Sequence, residues 1–264
     1  MATHKQNRTR RLLSQGATAF GTAANDTHSP SFAQIVSQAG YDYLMIDREH
    51  GAWSVESLQG LVRVCRLLDL TSIVRIPDLV PHWISQTLDL GAEGIMVPRV
   101  ESRAAAELAV SRMKYPPLGQ RGLATGVGHS DFVSGLDAQA FVDNANANTL
   151  LVIQIESARG VQQVNDIVSV PGIDAVMIGP MDLSLSLGYV GQLEHPVVEA
   201  AMGTIIDACN RHGVAGGMHM GNADLLRKWR DRGARFITCS GDLGFLEQGA
   251  RAAIATLLGD NAKR

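Results

Sequence analysis

Cysteine is scarce: three residues in a chain of 264. Cys65, Cys209 and Cys239 are too scattered for a disulfide framework or a thiolate zinc site, and they read as buried thiols of a reducing compartment. No apolar run approaches the length of a membrane span. Basic residues do precede LLSQGATAFGTAA, but Ser14, Gln15 and Gly16 interrupt any apolar core there, so it is not read as a secretory signal. The expected location is the cytoplasm. Basic charge is not in excess either. The formal net charge of -3 leaves no electrostatic footprint for nucleic acid. Aromatic residues are few, at 5%. A nucleotide-binding glycine fingerprint is missing as well, since Gly16, Gly21 and Gly40 have the wrong spacing. The histidines show no ligand spacing such as HExxH.

What the chain does have is rhythm. Short apolar runs rich in β-branched residues alternate with helix-like segments: ATAFGT (17–22), YLMID (43–47), SIVRI (72–76), GIMVPRV (94–100), LLVIQI (150–155), DAVMIG (174–179), VAGGM (214–218) and FITC (236–239). Near-continuous apolar strands are those buried on both faces of a parallel sheet. Ser29, Ser54, Ser102 and Asn222 stand where helix caps belong, and Pro30, Pro81 and Pro196 where helices begin. Eight strand–helix units predict a single-domain α/β fold, the (β/α)8 TIM barrel, over residues 17–264, with a doubly wound open sheet as the alternative. Residues 1–16, carrying Lys5, Arg8, Arg10 and Arg11, read as a solvated basic tail. Tyr115–Phe132 is too long and too rich in Pro and Gly for a routine connection, so it is expected to be a packed or functional loop.

Polar residues gather at the strand ends. Glu156 closes one apolar run, and Asp182 follows the next. Neighbouring parallel strands end at one rim, so the two carboxylates should converge and hold a divalent cation. The alternative is that each is a helix-terminal acid. Asp47, His50, Arg75, Gln154, Arg99, His219 and Asp242 fall at the same rim. Arg75 is placed to stabilise an oxyanion, or simply to pair with Asp47. His50 is placed to move a proton, or to rest as a loop histidine. Arg99 and His219 read as structural. Asp89 sits near a helix C-terminus, where the helix dipole disfavours an acid, and this suggests a specific partner.

The ordered segments YDYLMIDREHG, SIVRIP, LDLGAEGIMVPRV, YPPLGQRG, LVIQIES and VMIGPMDLS resemble the HpcH/HpaI family of metal-dependent (class II) pyruvate aldolases, over about residues 17–258. The resemblance implies a TIM barrel assembled as a homo-oligomer, a hexamer built as a trimer of dimers with an exchanged C-terminal helix. It implies a lyase that reversibly cleaves a 4-hydroxy-2-oxo acid to an aldehyde and pyruvate, or a close 2-oxo acid such as hydroxypyruvate. Position by position, Glu156 and Asp182 would hold the metal (Mg²⁺, Mn²⁺ or Co²⁺), and Arg75 would stabilise the enolate. His50 would be the acid–base group, with Asp89 as its dyad partner. Asp47 and Gln154 would order water and substrate, and the backbone at Gly179, Pro180, Met181 and Asp182 would receive the pyruvate carboxylate. Met181 departs from the small residue common in the family, and Arg99 from an apolar one. Two other readings stand beside this one: a CoA-ester lyase of the citrate lyase β type, and a non-catalytic barrel that binds a 2-oxo acid.

Overall fold

Eight parallel strands close on themselves in sequence order. They are β1 (Ala19–Ala24), β2 (Tyr43–Asp47), β3 (Thr71–Arg75), β4 (Gly94–Val97), β5 (Leu150–Ile155), β6 (Ala175–Ile178), β7 (Ala215–Met220) and β8 (Phe236–Gly241). The helices are α1 (Arg8–Ser14), α2 (Pro30–Gln38), α3 (Val55–Leu67), α4 (Pro81–Asp89), α5 (Arg103–Met113), α6 (Ala138–Asn148), α7 (Ala158–Gln162), α8 (Val164–Val168), α9 (Pro180–Ser186), α10 (Pro196–His212), α11 (Ala223–Asp231) and α12 (Asp242–Leu258). This computed structural model describes residues 6–259. The expected (β/α)8 TIM barrel is the fold, and the open sheet is excluded by the pairing of β1 with β8.

Side chains alternate in and out along each strand. The inward set includes Ala19, Ala23, Tyr43, Met45, Ile73, Met96, Val152, Met177, Ala215 and Phe236, all buried. Tyr43 stacks on Phe236 with ring centroids 4.5 Å apart, and its hydroxyl meets Thr238 Oγ1 at 2.8 Å. That ring lies directly over Gly21, where any Cβ would overlap it, so β1 must be small at this level. The outward faces pack on the helices in two larger clusters. Ser29, Ser54, Ser102 and Asn222 do cap α2, α3, α5 and α11.

The structure differs from the sequence reading in several places. Asn7–Ser14 is not a solvated tail. Asn7 caps α1 and is buried, with Nδ2 donating to Glu93 O at 3.0 Å. Arg8 pairs with Asp42 (2.9 Å) and Arg10 with Asp174 (2.7 Å), so α1 is fastened to the strand-entry end of the barrel. Lys5 lies outside the described residues. β1 starts and ends two residues later than expected, because its pairing with β2 and β8 decides its limits. The crossover after β5 is two short helices, α7 and α8. The segment Tyr115–Phe132 is a packed loop at the strand-entry end, with Tyr115 buried beneath the Arg121 guanidinium, 4.7 Å away.

Candidate active site

Parallel strands deliver their last residues to one rim, and the polar residues at that rim meet there. Asp47 and Arg75 are the last residues of β2 and β3 and are paired in register. Arg75 Nε donates to Asp47 Oδ1 at 2.9 Å and Nη2 to Oδ2 at 2.6 Å, a bidentate fork. Nη1 faces Glu49 Oε2 at 3.3 Å and Gln154 Oε1 at 3.5 Å. A guanidinium has five N–H bonds. Three of them make hydrogen bonds to Asp47 and Gln154, and one Nη2 hydrogen lies outside the Asp47 fork, open to a ligand.

Asp47 is fully enclosed. Besides Arg75 it accepts from the amides of Glu49 (3.0 Å) and His50 (3.3 Å) and from Asn25 Nδ2 (3.2 Å). Burial by itself would raise its carboxyl, but the Arg75 bonds and charge and the two amides overcome that and hold it below the usual carboxylate range. Five donors exhaust two carboxylate oxygens. Asp47 therefore orients Arg75 and the turn that carries His50.

Glu156 follows β5 and is buried. Gln154 Nε2 donates to its Oε2, and the Arg99 amide donates to its Oε1 at 3.0 Å. The amide is aimed there because Arg99 adopts a left-handed φ of 52°. Gly179 closes the set from below: a Cβ on it would overlap Glu156 Oε2 and stand 3.0 Å from Gln154 Nε2. Burial raises the Glu156 carboxyl, and the charges of Asp182 and Glu49 raise it further. Asp182 lies in the first turn of α9, solvent-exposed.

The Asp182 charge makes ionised Glu156 costlier, and a hard cation, which takes one or two protein carboxylates and completes its shell with water and ligand oxygens, would offset that cost. Among the described residues no group of three or more His, Cys, Asp or Glu could hold a metal. Glu156 and Asp182 are the two neighbouring carboxylates at this rim that would hold such a cation.

A cavity of about 160 Å³ opens between these groups, and His50, Arg75, Gln154, Gly179, Pro180, Met181, Asp182 and His219 line it. His50 is exposed. Met181 is 56% exposed, so it forms the lip of the cavity and not its floor. Arg99 lies outside, its Nη2 3.1 Å from Glu49 and 3.3 Å from Pro77 O.

Asp89 is not with His50. It ends α4 at the opposite, strand-entry end, where Arg121 Nη2 (2.6 Å) and His129 Nδ1 (3.1 Å) bind its Oδ1. Burial would raise its carboxyl, but the hydrogen bonds and charges of His129 and Arg121 lower it. The expected dyad is not formed within one chain, because a helix nine residues long separates the two rims. Asp242, also expected at the rim, caps the turn after β1 by accepting the amides of Asn25, Asp26 and Thr27.

Sequence reading missed Asn25 because it ended β1 at Thr22. It does not single out Glu49, and it sets His219 aside as structural although that residue lines the cavity.

Residues 25–248 match the HpcH/HpaI aldolase/citrate lyase family. The hydroxypyruvate/pyruvate aldolase of Roseobacter denitrificans is 35% identical over 240 residues, 91% of this chain and 93% of that protein. The 5-keto-4-deoxy-D-glucarate aldolase of Escherichia coli is 32% identical over 216 residues, covering 82% and 83%. The crystal structure of an HpcH/HpaI aldolase from Desulfitobacterium hafniense superposes with a TM-score of 0.90 at 33% identity, covering 94% of this chain and 96% of that one. With the strand-end carboxylates, Arg75 and His50 on one rim of a closed barrel, the chain belongs to the HpcH/HpaI aldolase/citrate lyase family.

Proposed function

We propose that the protein is a divalent-metal-dependent aldolase. It reversibly cleaves a 4-hydroxy-2-oxo acid to an aldehyde and pyruvate, or a close 2-oxo acid such as hydroxypyruvate. The observation that carries this reading is the convergence of Asp182, Arg75, Gln154 and His50 on one small cavity, with the Glu156 carboxylate held by Gln154 and close enough to Asp182 to feel its charge. The names of the aldolase relatives support it.

Glu156 and Asp182 hold the cation (Mg²⁺, Mn²⁺ or Co²⁺), which when bound supplies Lewis-acid polarisation of the 2-oxo group. Arg75, fixed by Asp47 and Glu49, directs its remaining Nη2 hydrogen at the 2-oxo oxygen, where negative charge develops. His50 removes the C4 hydroxyl proton, directly or through a water. As the C4 carbonyl forms, the C3–C4 bond breaks and its electron pair becomes the enolate. A proton added at C3 completes the 2-oxo acid. The backbone from Gly179 to Asp182 receives the substrate carboxylate.

Asp89 serves the His50 of another copy, because within one chain it lies at the far rim. This reading needs a homo-oligomer, built as a hexamer by exchange of α12. In support, α12 buries only Asp242 and exposes Leu243, Leu246, Ile254 and Leu257. Beside it runs an apolar groove of about 480 Å³ lined by Phe32, Ile35, Tyr41 and Phe245.

The test is proton exchange at the methyl group of pyruvate in D₂O, followed by NMR. Exchange with Mg²⁺ or Mn²⁺ is expected, with loss in EDTA and in Glu156→Ala. Exchange that survives thorough metal removal overturns the metal reading. Absence of exchange at C3 of both pyruvate and hydroxypyruvate under every metal tried overturns the aldolase reading.

A further inference from the structure

His219 carries an inner-rim acceptor, Nδ1, that has no donor among the described residues. Ala215, Gly217 and His219 are the inward positions of β7, and His219 is the last of them before the rim. Its Nε2 lies 2.9 Å from the Ser240 carbonyl oxygen. A carbonyl only accepts, so Nε2 carries the hydrogen and Nδ1 of the neutral ring is an acceptor. Burial lowers the imidazole pKa, opposed by the Ser240 bond, and the nearby Arg75 charge lowers it further, against Asp47. The ring is therefore neutral near pH 7, and Nδ1 keeps its lone pair.

The neighbouring carboxylates and amide of this layer have partners within the chain. Asp47 has Arg75, Asn25 and two amides, Gln154 has Glu156 and Arg75, and Glu156 has Gln154 and the Arg99 amide. Among the described residues no donor reaches His219 Nδ1, although the ring lines the cavity with Arg75 and Gln154. An acceptor at a partly enclosed site calls for a donor on the ligand.

The position limits which part of the ligand this is. Ile178 pairs with Met218, so the next residues, Gly179 and His219, stand side by side. His219 therefore flanks the Gly179 turn, inside the exposed lip formed by Met181. On the reading above, the 2-oxo acid half of a substrate held by Arg75 and the Gly179–Asp182 backbone lies here, with the aldehyde half toward the mouth. The carboxylate and the 2-oxo oxygen are themselves acceptors and do not satisfy Nδ1. The methyl group of pyruvate has no donor. A hydroxyl on C3 does.

We propose that His219 Nδ1 accepts a hydrogen bond from the C3 hydroxyl of a 3-hydroxy-2-oxo acid and makes this site selective for that class over pyruvate. The proposal rests on the reading that the cavity binds a 2-oxo acid. A site that hydrogen-bonds a substrate hydroxyl discriminates strongly against the analogue without it, because its own polar group is then left unpaired.

The experiment is calorimetric titration of the full-length protein with Mn²⁺ present, using hydroxypyruvate and pyruvate as the two probes. Wild type, His219→Leu and His219→Asn are compared, with cleavage kinetics run in parallel. Asn places its side-chain oxygen near the position of Nδ1. Wild type is expected to prefer hydroxypyruvate. His219→Leu is expected to reduce that preference on the order of ten- to a hundredfold, and His219→Asn to retain most of it. A ratio unchanged in His219→Leu, a wild type that prefers pyruvate, or equal losses in the Leu and Asn variants overturns the proposal. Selective binding without carbon–carbon cleavage overturns the aldolase reading and leaves the selectivity standing. Cleavage with a ratio independent of His219 does the reverse, and if neither acid binds, both fall.

Discussion

Asp47 and Arg75 face each other in register on β2 and β3 and are joined by two hydrogen bonds, 2.9 and 2.6 Å long. The carboxylate is completely buried, and the guanidinium side chain is 12% exposed. One partner without the other would be an uncompensated charge at the barrel rim.

Asp47→Asn is therefore expected to cost about 3–5 kcal/mol of stability, the range for breaking a buried pair, and to lower turnover because Arg75 and the His50 turn lose their anchor. The carboxyl lies below its usual range in the folded protein. Its contribution is thus present above the unfolded-state value near about pH 4 and is lost as pH falls through the lower folded-state value. Urea denaturation from neutral to acid pH is expected to show a flatter acid limb for Asp47→Asn than for wild type.

Glu156 presents the opposite case. Burial and the neighbouring acids raise its carboxyl, so without metal its contribution is favourable at acid pH and is lost as pH rises through the raised value. At neutral pH, Glu156→Gln is expected to raise the melting temperature of the metal-free protein. The Mn²⁺-dependent rise of the wild type should disappear in the variant. A calorimetric scan with and without Mn²⁺ checks both.

Gly179 has an ordinary φ of -93°, so its requirement is one of space. A Cβ there would displace Glu156 and Gln154. Gly179→Ala is expected to weaken Mn²⁺ binding by about tenfold, roughly 1.4 kcal/mol, with an unchanged far-UV circular dichroism spectrum.

Asn7 joins α1 to the barrel through the Glu93 carbonyl, and its Oδ1 accepts from the Arg10 amide and from Thr71 Oγ1. Asn7→Ala removes the acceptor of the Arg10 amide and of the buried Thr71 hydroxyl, while the Glu93 carbonyl keeps the Leu150 amide. It is expected to lower stability by about 1–3 kcal/mol in urea denaturation, with kcat/KM unchanged because α1 lies at the end remote from the cavity.

Asp89 and His50 sit at opposite rims of one barrel. His50→Ala and Asp89→Asn homo-oligomers are each expected to be impaired. Subunits of the two variants mixed by co-expression should regain part of the activity, because some sites then combine both intact residues. No recovery on mixing would remove Asp89 from the chemistry and leave it as the partner of Arg121 and His129.

Much of this molecule followed from local pattern. The eight apolar runs, the serine and asparagine caps and the alternation of strand and helix each depend on residues a few positions apart. Parallel strands all point one way, so the residues ending them had to share a rim. That is why Arg75, Gln154, Glu156 and Asp182 could be named together from sequence. What lay beyond the sequence were contacts between groups far apart along the chain. Pairing of β1 with β2 and β8 fixed the end of β1, and the β1–β2 register brought Asn25 to Asp47. Docking of α1 turned basic residues that look solvated into partners of Asp42 and Asp174. The end of α4 at which Asp89 falls separated it from His50 and gave it Arg121, 32 residues away. The Ser240 carbonyl, 21 residues on, decided which nitrogen of His219 carries the hydrogen. Period and spacing say which way a side chain points. Only the curvature of the closed sheet says what it meets there, because that partner arrives from another strand.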